Sequence, residues 1–95
     1  MPRIIWGDRA LADLADLREY VEQDNPDAAR EQALRVVSAV EALEQHVGRG
    51  RPGRVAGTRE LVVPDTPYIV AYRMRGNRVD VLRVIHGAMR WPRRF

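Results

Sequence analysis

Histidine is the side chain best suited to move a proton near neutral pH, and this chain has two, His46 and His86. His86 closes a strand-like segment at residues 78–86. A strand end there would present its imidazole for general acid–base work, and would equally suit a histidine that only hydrogen-bonds. His46 lies two residues before Gly48, where it complements a helix dipole. Arg59 and Glu60 are neighbours, but successive strand positions point to opposite faces, so they are not a pair by default. The C-terminal string Arg90, Trp91, Arg93, Arg94 and Phe95 interleaves cations with rings. Such a string stacks on bases or a partner, or anchors itself on the core. All sixteen basic residues are arginine. A guanidinium stays protonated, so it holds an anion but is a poor general base.

Several chemistries are excluded. There is no cysteine, hence no disulfide framework and no thiolate metal site. Two histidines forty positions apart do not make a zinc site. There is no Ser-His-Asp spacing. The glycine–arginine stretch 48–57 lacks the lysine and the following helix of a nucleotide loop. No metal and no cofactor are expected.

The elements that must position these residues follow from periodicity. Residues 3–6 read as a short opening strand. Asp8 is placed to cap a first helix with Leu11, Leu14, Leu17 and Val21 on one stripe. Asn25-Pro26 ends it and restarts a second helix, with Asn25 as N-cap and Pro26 in the first turn. Ala29, Ala33, Val36, Val40, Leu43 and Val47 keep one face inward, and Gly48 is expected as a left-handed C-cap. Residues 48–57 read as a solvated loop.

The period then becomes two, giving strands at 58–63, 68–75 and 78–86 around a Pro64–Pro67 turn and a Gly76-Asn77 hairpin. These turns set Leu61 opposite Val70, Arg59 opposite Tyr72, Tyr72 opposite Val81, and Arg73 opposite Asp80 as a cross-strand ion pair. Without a bulge, Leu61, Val63, Tyr68, Val70, Tyr72, Met74, Val79, Val81 and Ile85 share the face under the helices. Glu60, Val62, Ile69, Ala71, Arg73, Arg78, Leu82, Val84 and His86 share a mixed, half-open face. The expected class is α+β: an opening strand, an antiparallel helical hairpin, then a three-stranded antiparallel meander.

Ninety-five residues, 45% of them hydrophobic and 31% charged, suit one folded domain over residues 1–95. No apolar run reaches the length that crosses a bilayer, and residues 1–6 do not read as a signal peptide, so a cytoplasmic protein is expected. Charge is split along the chain. Residues 1–47 carry five arginines and ten acids, and residues 48–95 carry eleven arginines and three acids. The basic half is a candidate surface for an acidic partner, either nucleic acid or an acidic protein segment.

Over its length the chain resembles the RelE/ParE superfamily of type II toxin–antitoxin toxins. The matching residues are Ile5-Trp6, Asn25-Pro26, Ala28-Ala29, Gly57-Thr58-Arg59-Glu60-Leu61 and Pro67-Tyr68-Ile69-Val70-Ala71-Tyr72-Arg73. They continue with Val81-Leu82-Arg83-Val84-Ile85-His86-Gly87-Ala88 and close with Trp91-Pro92. Their order along the chain carries the likeness. The resemblance implies a growth-inhibiting toxin, linked to plasmid stabilisation. A cognate ParD- or RelB-like antitoxin neutralises it in a hetero-oligomer, and DNA is contacted only through that antitoxin. Antitoxin contacts are expected at Leu14, Leu17, Val21, Arg59 and Arg73.

Two mechanisms occur in the superfamily. ParE-like members inhibit DNA gyrase, without catalysis, and the implied target-binding residues are Arg90, Trp91, Arg93, Arg94 and Phe95. RelE-like members are endoribonucleases that cleave mRNA on the ribosome, and the implied catalytic set is His86, Glu60 and Arg59. The ribonucleases typically carry an arginine where this chain has Ile69, and RelE itself uses loop lysines that are absent here. No tyrosine follows His86. The string His86-Gly87-Ala88 with Trp91-Pro92 is more similar to the ParE branch.

Overall fold

The Asn25 side chain accepts a hydrogen bond from the Ala28 N–H at 3.1 Å. This cap satisfies one of the free donors at a helix start, and Pro26 supplies the first residue of the second helix. In this computed structural model, which describes residues 2–95, the helical hairpin is α1 (Asp8–Glu22) and α2 (Pro26–Glu41). A single 3-10 turn, Ala42–Glu44, follows α2. The strands are β1 (Arg3–Trp6), β2 (Arg51–Pro52), β3 (Arg59–Val62), β4 (Tyr68–Arg75) and β5 (Arg78–His86). They form one sheet in the order β1-β5-β4-β3-β2. The α+β class and element order are those expected. The opening strand adds to the meander by pairing parallel to β5, and β2 extends it at the opposite edge.

Three local expectations are corrected. Gly7, not Asp8, is the N-cap of α1, and Asp8 sits in the first turn. The Gly7 N–H donates to the Val81 carbonyl at 3.0 Å, so β5 fixes the helix start. Leu11, expected on the buried stripe of α1, is exposed, while Ala10 and Leu17 are buried. The second helix stops at Glu41, and Gly48 does not take the left-handed conformation. The Tyr72 hydroxyl donates to the Val47 carbonyl at 2.7 Å and accepts from the Gly50 N–H at 2.9 Å. That pair of bonds draws residues 47–50 onto the sheet in place of a glycine cap.

The strand register holds at each of the four pairs named from the turns. Leu61, Val70, Tyr72, Val81 and Val40 are all buried in one core with Val36, Leu43 and Val79. Met74 shares their face but is exposed near the hairpin end. The Arg73–Asp80 ion pair does not form, although the two stand opposite. Arg78, two positions from Asp80 and so on the same face, donates to both its oxygens at 2.7 and 3.2 Å. Arg75 approaches at 3.6 Å.

The last strand departs most from expectation. Its pairing with β4 shifts between Ala71 and Tyr72, where Tyr72 faces Val81 and Ala71 faces Arg83. One extra residue in β5 is a β-bulge, and beyond it every side chain changes face. Val84 therefore joins the helix-side core, and Ile85 pairs with Ile69 on the outer face. His86 stands opposite Tyr68, on the helix side rather than the mixed face.

Candidate functional site

The pairing of β1 with β5 ends at Trp6–Val81, which leaves the β5 edge from Arg83 onward without a neighbouring strand. Helix α1 covers it instead. Asp13 accepts the Val84 N–H at 2.9 Å and both Arg83 guanidinium donors at 2.7 and 3.1 Å. Beside this edge lies a hollow of about 810 Å³, lined by Asp16, Leu17 and Tyr20 of α1, Tyr68, Arg83–His86, and tail residues Ala88–Arg93.

His86 stands in that lining. Its ring meets Tyr68 edge to face, with centroids 5.6 Å apart. Its Nδ1 accepts the Ala88 N–H at 3.1 Å, which places the proton of the neutral imidazole on Nε2. The nitrogen that would take a proton is thus already occupied by backbone. Burial, chiefly, pushes the Tyr68 phenol above its ordinary range.

On the outer face, Glu60 is 3% exposed. Its carboxylate accepts the Arg54 N–H at 2.7 Å and an Arg51 guanidinium nitrogen at 3.2 Å, with Arg54 Nε at 3.5 Å. The Arg54 guanidinium lies 4.1 Å from the centroid of the Trp91 ring. Arg59 points away and donates to the Gly50 carbonyl at 2.7 Å. The stretch 48–57 is therefore not the solvated loop expected from its composition. Two side chains, Tyr72 and Glu60, hold it from either face of the sheet. A Cβ at Gly50 would meet the Tyr72 hydroxyl at 2.7 Å, which is why this approach needs glycine.

The three residues of the catalytic expectation are not brought together. Glu60 is level with Ala71 and Arg83, while His86 is level with Tyr68, three positions further on. Strand geometry separates them by roughly 10 Å across the sheet and roughly 10 Å along it, on opposite faces. Each is also engaged elsewhere. No group of three His, Cys, Asp or Glu residues able to hold a metal occurs among the described residues.

The family described as "ParE toxin of type II toxin-antitoxin system, parDE" matches residues 4–91.

The chain belongs to the ParE toxin family.

Relatives agree. The chain is 46% identical over 90 residues to "Putative toxin Y4kP" of Sinorhizobium fredii, covering 95% of this chain and 93% of that one. It is 40% identical over 88 residues to "Toxin RelE2" of Caulobacter vibrioides, covering 93% and 98%. A solved structure, "Chromosomal ParDE TA system from P. aeruginosa", superposes with a TM-score of 0.83 at 30% identity, covering 90% of this chain and 96% of that one.

Within this ParE-family fold, the five residues expected to meet an antitoxin lie in three places. Leu17 is buried and Leu14 half-buried in the core, with Val21 half-buried further along α1. Arg59 lies at the β2–β3 edge, and Arg73 is on the outer face with its Nε unpartnered. The tail residues stay together. Arg90, Arg93, Arg94 and Phe95 are exposed, and none of these arginines forms an ion pair among the described residues. Trp91 is half-buried against Arg54. The bulge, the Asp13 edge cover and the Trp91 stack all escaped sequence reasoning. The one signal for the first was the break in alternation at Val81-Leu82 and Val84-Ile85, either side of Arg83, which fits either face assignment.

Proposed function

We propose that this chain is a growth-inhibiting toxin that acts by binding DNA gyrase, not by catalysis, and that a ParD-like antitoxin neutralises it. The carrying observation is the state of the candidate catalytic groups. His86 Nδ1 is taken by a backbone N–H, Glu60 by two arginines and Arg59 by a carbonyl. General acid–base catalysis needs a group free to exchange a proton within hydrogen-bond reach of the reacting atom. The tail, by contrast, offers three guanidinium groups with no ion pair among the described residues, beside two aromatic rings. That composition drives association through charge and hot-spot anchors.

Membership of the ParE family supports the gyrase reading, and likeness to a chain of the P. aeruginosa ParDE system supports a ParD-type partner. The antitoxin segment is expected to run part as a helix in a groove and part as extended chain over the sheet. A groove between α2 and β3 holds exposed Leu34 and Val62, with Arg30, Arg49, Asp27 and the Arg35–Glu31 pair around them, and suits an amphipathic segment.

The test is a gyrase supercoiling assay run beside cleavage of ribosome-bound mRNA with the same purified chain. Inhibition of supercoiling with intact transcripts is expected. Transcript cleavage with unaffected supercoiling would replace this reading with the endoribonuclease.

A further inference from the structure

The C-terminal tail has no regular secondary structure after β5, and its last backbone hydrogen bond among the described residues is Met89 N–H to the His86 carbonyl. Residues 90–95 are therefore held by side chains. Trp91 is their half-buried anchor, and its indole Nε1 is buried without a hydrogen-bond partner. No hydrogen bond places the ring, and it stacks on the Arg54 guanidinium at 4.1 Å.

That guanidinium is itself oriented. The buried Glu60 carboxylate takes the Arg54 backbone N–H at 2.7 Å and lies 3.5 Å from Arg54 Nε. A planar guanidinium can offer an edge to a carboxylate and a face to an indole at once, which an ammonium cannot.

We propose that Glu60 and Arg54 form a clamp that fixes the basic tail in one pose through Trp91, with Glu60 acting as a positioning residue. The clamp sets where Arg90, Arg93 and Arg94 point, because these three flank the clamped ring. A tail ordered before it meets its target loses less freedom on binding. The link to toxicity rests on the proposed role of the tail in target binding; the clamp itself does not.

The test uses the full-length chain. In a Trp6→Phe background Trp91 is the sole tryptophan, and acrylamide quenching reads its exposure. Arg54→Ala should raise quenching several-fold and speed tryptic cleavage after Arg90, Arg93 or Arg94 by about tenfold or more. Arg54→Lys should restore part of the protection, since it keeps the cation but loses the edge. Glu60→Gln should fall between wild type and Arg54→Ala. Antitoxin affinity and circular dichroism should not change.

Arg54→Ala with wild-type quenching and wild-type cleavage would overturn the clamp. If that variant does not fold, Trp91→Leu carries the same cleavage test, with Glu60 still paired to both arginines. Separately, a folded chain truncated before Arg90 that remains toxic would overturn the tail's role in target binding. Quenching and proteolysis would still decide the clamp.

Discussion

Asp13 on α1 and Arg83 on β5, seventy residues apart in the chain, form a two-pronged ion pair at 2.7 and 3.1 Å. The same carboxylate takes the Val84 N–H at 2.9 Å. With side chains 10% and 20% exposed, this pair stands largely out of water, and it does for the β5 edge what a neighbouring strand would do.

Removing one partner of a largely buried pair leaves the other charge without compensation. Asp13→Ala should destabilise the domain by about 2–4 kcal/mol, because both Arg83 and the Val84 N–H lose their acceptor. A double variant, Asp13→Ala with Arg83→Met, should recover part of that loss. Urea unfolding of the four species in a double-mutant cycle checks it. Strict additivity would show that the two residues do not act as a pair.

Tyr72→Phe removes one oxygen and two hydrogen bonds, leaving the Val47 carbonyl and the Gly50 N–H unpaired beside the core. The expected cost is about 1–3 kcal/mol. Hydrogen exchange at the Gly50 amide should accelerate more than at the β4–β5 ladder, since the loop loses its tie while the sheet keeps its own.

The face assignment of β3 is tested by a contrast. Leu61 is 6% exposed and Val62 51%. Leu61→Ala should cost about 2–4 kcal/mol, and Val62→Ala should stay within about 0.5 kcal/mol. Thermal melts showing equal losses would contradict the alternation on which the core rests.

His86→Gln separates the two mechanisms. For a gyrase-binding toxin it should leave toxicity nearly intact provided the strand end stays folded. For a nuclease it should remove roughly 100-fold or more of the cleavage rate. Truncation before Arg90 should abolish toxicity in the first case, once circular dichroism shows that the shortened chain folds.

A cognate antitoxin that binds only the folded chain must raise its melting temperature by mass action. Scanning calorimetry of the chain alone and in complex should show a rise that grows with antitoxin concentration. Identical melting temperatures would exclude the proposed partner relationship.

Much of the fold is legible because its punctuation is local. Asn25-Pro26 and Gly76-Asn77 act within a few residues of themselves, so the hairpin of helices and the β4–β5 register can be read from types and spacing. The site is less legible because its contacts are long-range. Leu82, Val84 and Ile85 are all apolar, and alternation alone cannot say which of them is the extra residue in a bulge. The expectation for His86 falls on the wrong face for that reason. Arg54 and Trp91 meet across thirty-seven residues, and nothing in either neighbourhood announces the other. The Arg73–Asp80 expectation fails differently: the register is right, but Arg78 on the same strand face reaches the carboxylate instead.

The sheet order places β5 between β1 and β4, so the strand translated after the other four is the one that joins β1 to the rest of the sheet. A nascent chain that has reached Asn77 holds β1 with no parallel partner and β4 with one flank bare. Its two helices lie over an unfinished platform. Native closure waits for residues 78–86, and the basic tail follows them. Until those residues have emerged, the nascent chain lacks both its complete sheet and its arginine-rich segment.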